Sequence, residues 1–275
     1  KNDMKRLVNC LLLSLVCLTL SAQKPATNTA FQSGERLEYK LFFNWKFVWL
    51  NAGTATMHTV GTTYKGQPAF KSSLVTSTSK RLDKFFCMRD TLSSIVTQQL
   101  VPLYYRKGAN EGGKYRLNEA TYSYRNSRTN VHLLYQNPNG ERSEFDYEKA
   151  EPVYDMFSMM LRARSFKGSD FKVGDRIKFL MADHRDVDEQ TIIYRGIKNF
   201  TTEDEAKITY RCMVFSFVEP DKKGKEKEII TFYITDDDNH MPVRLDMFLR
   251  FGVAKAYLKT ATGLRNPQTS IVKAK

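Results

Sequence analysis

Between Glu35 and Leu50 the chain alternates. Leu37, Tyr39, Leu41, Phe43, Trp45, Phe47 and Trp49 are apolar or aromatic, whereas Arg36, Glu38, Lys40, Asn44 and Lys46 are polar. A period of two puts successive side chains on opposite faces, so this stretch predicts a strand with one buried face. Phe42 and Val48 interrupt the polar row. Asn51-Ala52-Gly53 then predicts a turn or bulge before a second run at residues 54–60. Shorter β-like runs follow at residues 69–76, 91–96, 103–106, 115–124 and 130–135, and again at 190–194, 206–218, 228–235, 242–250 and 254–262. Asn139-Gly140 is a hairpin signal between residues 131–134 and 144–147, and residues 110–113 and 221–227 read as further loops. Many strands joined by short turns predict a mainly β fold, an antiparallel open barrel or a sandwich.

One helix interrupts the strands, near residues 152–167. Val153, Met156, Phe157, Met160 and Leu161 fall at the spacing of a single apolar stripe. Pro152 suits a first helical turn, Asp155 places negative charge near it, and Gly168 can end the helix. After it, Gly174-Asp175-Arg176-Ile177-Lys178-Phe179 echoes Gly34-Glu35-Arg36-Leu37-Glu38-Tyr39. The expected organisation is a flexible lead-in at 23–33, one β-rich domain over 34–265 and a flexible tail at 266–275. The echo allows that domain to be two similar subdomains, 34–150 and 170–265, joined by the helix.

The N-terminal region carries a different signal. Met4-Lys5-Arg6 precedes an apolar stretch over residues 7–20 and then Ser21-Ala22, the pattern of a cleavable secretory signal peptide over residues 4–22. The apolar stretch is short for a membrane-spanning helix, which needs about 20 apolar residues. Export through the inner membrane to the periplasm or envelope is therefore expected, with no transmembrane anchor after cleavage. Export also changes the meaning of the charge. The net charge is +13, which in a cytosolic protein would suggest nucleic acid; outside it, lipid headgroups or acidic polysaccharide are the relevant anions. Cleavage removes Cys10 and Cys17 and leaves Cys87 and Cys212. Their pairing would stabilise the fold by ~4–5 kcal/mol in the chain-entropy model, and two separate thiols are the alternative.

Short stretches resemble an exported bacterial family, that of domain of unknown function 3108. They are residues 31–39 (Phe-Gln-Ser-Gly-Glu-Arg-Leu-Glu-Tyr), Ala52-Gly53-Thr54-Ala55, Val101-Pro102-Leu103-Tyr104-Tyr105, Gly174-Asp175, Met241-Pro242-Val243-Arg244-Leu245 and Phe251-Gly252. Residues 200–210 depart from the family pattern in lacking a glycine. The resemblance implies an envelope-facing β fold and no established activity.

The chemistry-bearing residues form no local catalytic signature. His58, His132, His184 and His240 have neither His-x-x-x-His nor His-Glu-x-x-His spacing, and no nucleophile elbow, phosphate loop or dinucleotide fingerprint is present. Asp236-Asp237-Asp238-Asn239-His240 lacks the glycine and distal glutamate of a calcium loop and reads as a turn. No catalytic residue, metal site, cofactor or nucleic-acid partner is assigned. The candidate ligand-binding residues are Phe43, Trp45, Phe47 and Trp49 on the aromatic strand, with Met156 and Met160 on the helix. Core burial explains both groups as well as a ligand cavity does. The leading expectation is a non-enzymatic protein holding a lipid-like or amphipathic ligand. A structural or assembly factor working through contacts with an envelope protein, and a polysaccharide or cell-wall hydrolase, are the alternatives.

Overall fold

The aromatic row between Glu35 and Leu50 does not run on as one strand. In a computed structural model, which describes residues 26–45, 48–84, 87–202, 207–221, 223–249 and 252–273, the chain reverses inside it. Strand β1 (Glu35–Trp45) is followed by β2 (Val48–Tyr64), with Trp45 opposite Val48 and Phe43 opposite Leu50. The expected leader over residues 4–22 lies outside the described residues, as do Phe47 and the side chain of Trp45. Up to Leu41 the alternation works as predicted: Leu37, Tyr39 and Leu41 are buried while Arg36 and Lys40 face solvent.

The meander continues through β3 (Gln67–Thr78), β4 (Met88–Thr97), β5 (Pro102–Glu111), β6 (Lys114–Arg125), β7 (Arg128–Gln136) and β8 (Arg142–Lys149). A short β9 (Val153–Tyr154) and helix α1 (Met156–Ala163) come next. A second meander follows: β10 (Arg176–Asp183), β11 (Asp186–Thr201), β12 (Thr209–Pro220), β13 (Glu226–Thr235), β14 (Pro242–Leu249) and β15 (Gly252–Thr262). β1 pairs antiparallel with β15, so both meanders belong to one sheet that ends at β8 on one side and β9 on the other. Its two ends approach each other. The Tyr147 hydroxyl of β8 donates to the Arg185 carbonyl in the β10–β11 turn (2.6 Å), and the Arg185 guanidinium lies 4.8 Å from the Tyr135 ring centroid. The result is the mainly β, nearly closed barrel-like sheet that the strand pattern predicts.

Glycine makes the first bulge feasible. Leu41 faces Gly53 while Phe42 faces Asn51, so Ala52 is the extra residue. Gly53 has φ +154°, and a Cβ there would sit 2.0 Å from the Ser77 carbonyl oxygen of β3. Gly53→Ala is therefore expected to cost about 2–4 kcal/mol, read as a fall in denaturant midpoint at unchanged m-value; an unchanged midpoint would refute the close approach.

Helix α1 is shorter than the sequence predicts, and rotated. Val153 and Tyr154 pair in parallel with Leu180 and Met181, which removes them from the helix. Asp155 becomes the N-cap: its carboxylate accepts from the Ser158 backbone N–H (2.7 Å), and the Ser158 hydroxyl accepts from Asp155 N–H in return. Phe157 and Leu161 lie on one buried side and Met159 and Ala163 on the opposite one, while Met156 is 41 % exposed. Phe157 and Leu161 join the main core with Leu37, Tyr105, Val131 and Leu133, so the helix fills the space the sheet encloses. A second core lies on the other side of β11–β13, where Tyr194, Met213 and Phe215 are covered by Phe166 and Phe171 from the segment after the helix.

At the C-terminal end of α1 the side chain of Arg164 is almost completely buried, and so is its partner Glu35. Two guanidinium nitrogens donate to the two Glu35 carboxylate oxygens (2.5 and 2.8 Å), and one also reaches the Asn239 carbonyl (2.8 Å). The Arg164 backbone carbonyl faces the His240 ring nitrogen, and the guanidinium lies over the Phe31 ring. One residue thus ties together the lead-in, β1, the helix and the β13–β14 turn. The described parts of the lead-in and tail, residues 26–33 and 266–273, pack around this group. Phe31 is fully buried. Asn266 N–H donates to the Asn239 side chain, the Ser270 hydroxyl donates to Asp237 (2.8 Å), and β16 (Ile271–Lys273) pairs with β12.

The echoed hexapeptides form the same turn twice. Gly34 (φ +94°) donates to Thr59 O and Glu35 N–H to Gln32 O; Gly174 (φ +96°) donates to Tyr194 O and Asp175 N–H to Lys172 O. Only the first acid faces the interior. Removing one partner of a buried ion pair leaves the other uncompensated, so Arg164→Leu should destabilise by about 3–5 kcal/mol, whereas Glu35→Leu combined with Arg164→Leu should recover a large part of that loss. Equal losses in the single and double variants, measured by chemical denaturation, would show that the charges are not coupled.

Candidate binding surface

The side chains singled out from sequence do not meet in one cavity. Phe43 is half-buried beside Gly252, and Trp49 is 44 % exposed near the end of the β1–β2 hairpin. Met160 packs on the main core and Met156 points outward, both on α1, which rests against β4, β5, β9 and β10. Reversal of the chain between Trp45 and Val48 is the reason: a row that would share one face of a single strand is divided between two. Cys87 and Cys212 are both free. Cys87 precedes β4 while Cys212 lies deep in β12, where burial pushes its thiol up to about 12, so it is a packing group and not a nucleophile.

Four polar or apolar features remain as candidates. The first is the interior carboxylate of Asp155. Beyond capping the helix, it lies 3.4 Å from the hydroxyls of both Ser94 and Tyr122. Burial pushes its pKa up from 3.8 to about 6, against the lowering effect of the Ser158 donors. The second is Arg244, whose guanidinium is bound by Asp246 at 2.6 and 2.8 Å and surrounded by the rings of Phe200, Tyr233 and Tyr257. Its charge is already neutralised, so the cluster is a satisfied structural unit.

The third is a depression of about 360 Å3 on the outer face of β6–β8, lined by Thr121, Ser123, His132, Asp146 and Glu148 among others. Thr121, His132 and Asp146 are register partners across the three strands, and the imidazole is 2.9 Å from Asp146. However, the His132 and Asp146 side chains are 43 % and 84 % exposed. Water screens the pair, and the low-dielectric preorganisation that powers a proton relay is missing. No group of three metal-ligating side chains occurs among the described residues.

The fourth candidate is apolar. Burial along β2 alternates from Gly53 inward, but Val48, Trp49, Leu50 and Asn51 are all exposed. Exposed on both faces, these residues stay paired to β1 but extend past the core, so the hairpin stands proud of the packed interior. The neighbouring β14–β15 hairpin ends at the same level, since Asn44 pairs with Val253 and Leu249 with Gly252. Leu249 is also 44 % exposed, and the Lys255 ammonium sits 4.4 Å from the centroid of the Trp49 ring. Gly252 (φ +153°) permits this junction, because a Cβ there would lie 2.5 Å from the Asn44 carbonyl oxygen. Isolated exposed apolar residues are ordinary; a cluster at the end of two adjacent hairpins is a contact surface in waiting. The sequence held a trace of it: Phe47-Val48-Trp49-Leu50 is apolar at four successive positions, which a strand with one buried face does not need.

Asp155 gives a test with a definite sign. Its carboxyl is protonated more readily in the folded chain than in the unfolded one. Its contribution is most favourable below pH ~4 and is lost as pH rises through 6, on the order of 3 kcal/mol in all. Asp155→Asn keeps an N-cap acceptor without the charge. It should raise stability at pH 7 and flatten the pH dependence between 4 and 6, followed by denaturation midpoints; a variant less stable at pH 7 with the original pH profile would contradict this reading.

Comparison with known proteins agrees with the architecture. No curated protein matches the sequence. A beta-barrel-like protein of domain of unknown function DUF1849 from Brucella abortus is similar in fold, with a TM-score of 0.50 at 11% identity over 84% of this chain and 98% of that one. A candidate lipoprotein of Parabacteroides distasonis aligns over 87% of this chain and 100% of its own, at 10% identity and a TM-score of 0.34. The family model "Protein of unknown function (DUF3108)" matches residues 38–259, and the chain belongs to that family.

Proposed function

We propose that this is a non-enzymatic binding protein of the cell envelope, exported by the segment at residues 4–22, which engages a lipid-like or amphipathic ligand through the apolar end of its barrel. The observation that carries this reading is a contrast. The interior is filled by side chains such as Leu37, Met57, Val131, Leu161 and Met241, each 2% exposed or less, while Val48, Trp49, Leu50 and Leu249 stand in solvent together. A carrier with a hollow barrel would keep its apolar side chains inward and leave a cavity; here the ligand is met at the rim. The readiest chemistry for an enzyme, His132 with Asp146, is open to water on the outer face.

The β8 edge favours a second reading, contact with another protein. β8 pairs with β7 on one side, and the Tyr147 hydroxyl bridges from it to the β10–β11 turn. An edge of this kind can accept an added strand, and its exposed Arg142, Glu144, Asp146 and Glu148 give it a charged rather than apolar character.

Native mass spectrometry of protein purified from its own envelope separates the two. The expected result is a co-purified amphipath, and a dodecylphosphocholine titration that shifts tryptophan emission to the blue. Leu50→Ser with Leu249→Ser, which keeps Trp49 as the reporter, should abolish the shift while the fold is kept. An empty monomer that ignores dodecylphosphocholine would overturn the proposal, and a stoichiometric protein partner would transfer the argument to the β8 edge.

A further inference from the structure

The charge beside the apolar hairpins bears on what that end of the barrel touches. Strand directions assign the turns. Thr78 pairs with Gly53, and Ser79 N–H donates to Ala52 O, so the β3–β4 connection emerges beside the β1–β2 hairpin. Asp183 with Asp186, and Pro220 with Glu226, place the β10–β11 and β12–β13 turns at the same end. The described, exposed cations there are Lys80, Arg81, Lys84, Arg185, Lys223 and Lys225. Asp183, Asp186 and Glu226 stand at the same turns, and the remaining turn acids are engaged. Asp83 is held by Arg89 (2.5 Å), Asp221 accepts the backbone N–H groups of Lys223 and Lys225, and Glu141 accepts from Asn137. The cations on the elements beside the apolar hairpins are Lys80, Arg81 and Lys84 on the β3–β4 connection and Lys255 at the Trp49 ring.

We infer that this end docks on the surface of an anionic lipid bilayer, with Trp49, Leu50, Val48 and Leu249 entering the headgroup region and Lys80, Arg81, Lys84 and Lys255 contacting lipid phosphates. The inference rests on the binding reading above and names its partner. An indole beside an ammonium suits the boundary between headgroups and acyl chains, because the ring is apolar in body and polar at its edge while the lysine reaches outward. Cations near such a surface each strengthen binding by about fivefold, and the attraction fades over a Debye length, about 10 Å at 0.1 M salt. Two adjacent hairpin ends bury only a few side chains, so charge and apolar contact are both needed for stable attachment. Net positive charge alone, spread over a whole surface, would give no preferred orientation; cations placed beside the apolar hairpins supply one.

The test uses the purified protein with Trp45→Phe, so that Trp49 is the sole indole, and vesicles of phosphatidylglycerol or of phosphatidylcholine. Expected are co-sedimentation with phosphatidylglycerol, a blue shift of Trp49 emission on binding, and release at about 1 M salt. Lys80→Glu with Arg81→Glu should weaken binding by roughly tenfold or more, and Leu50→Ser with Leu249→Ser should weaken it comparably with circular dichroism unchanged. Lys65→Glu, at the opposite end, should have no effect. Equal binding to both lipids, or a Lys65→Glu loss as large as that of the Lys80 and Arg81 pair, would overturn the inference while leaving amphipath binding in place. Indifference to vesicles and to dodecylphosphocholine alike would remove both.

Discussion

The Arg164–Glu35 pair is the constraint on which the architecture closes. Two ions moved out of water lose several kcal/mol each in hydration, and only near-ideal geometry offsets that loss. Here the guanidinium is bidentate to the carboxylate, donates once more to Asn239 and stacks over Phe31. These partners come from the lead-in, the first strand, the helix and a turn in the second meander. Each of the two meanders could in principle pair its own strands alone. The buried pair requires that β1, α1 and the β13–β14 turn arrive at one point, which fixes how the halves and the helix are placed.

That point lies at one end of the barrel, and the consequences differ along its axis. At the Arg164 end, the β13–β14 turn is largely buried, hydrogen-bonded and backed by residues 266–270: Asp237, Asn239 and Ser270 are all removed from solvent. At the other end, hairpins project. Gly53 and Gly252 mark where β2 and β15 meet the barrel, and past them apolar side chains have no core to enter. A molecule closed at one end by a polar network and left apolar at the other is arranged to present a surface. The interior of the described residues is occupied by α1 and the inward side chains.

The stretches that carry the family resemblance lie far apart in sequence and meet at structural positions. Phe31 and Glu35 surround the Arg164 guanidinium together with the turn before Met241, Ala52-Gly53 forms the bulge, and Gly252 opens β15 at the apolar end. These residues are needed for the backbone to bend, approach or bury charge, and they say little about a ligand. Family membership therefore establishes the fold and leaves the activity to be argued from the surface.

Much of this was legible in the linear pattern. Period-two alternation in β1, the Asn-Gly hairpin before β8 and the apolar runs of β12 to β15 determine the β class and the strand count to a first approximation, because strand periodicity is a local property. The repeated Gly-acid-Arg hexapeptide marks the same turn twice for the same reason. Tertiary structure decided the rest. Whether residues 35–50 are one strand or a hairpin depends on which neighbours pair with them, and β3 and β15 supply those. Whether Arg164 is a helix-end cation or a buried pivot depends on Glu35, 129 positions away. Whether Trp49 is core or surface depends on where the sheet stops. Sequence specifies which side chains seek burial; only the assembled barrel decides which of them find it.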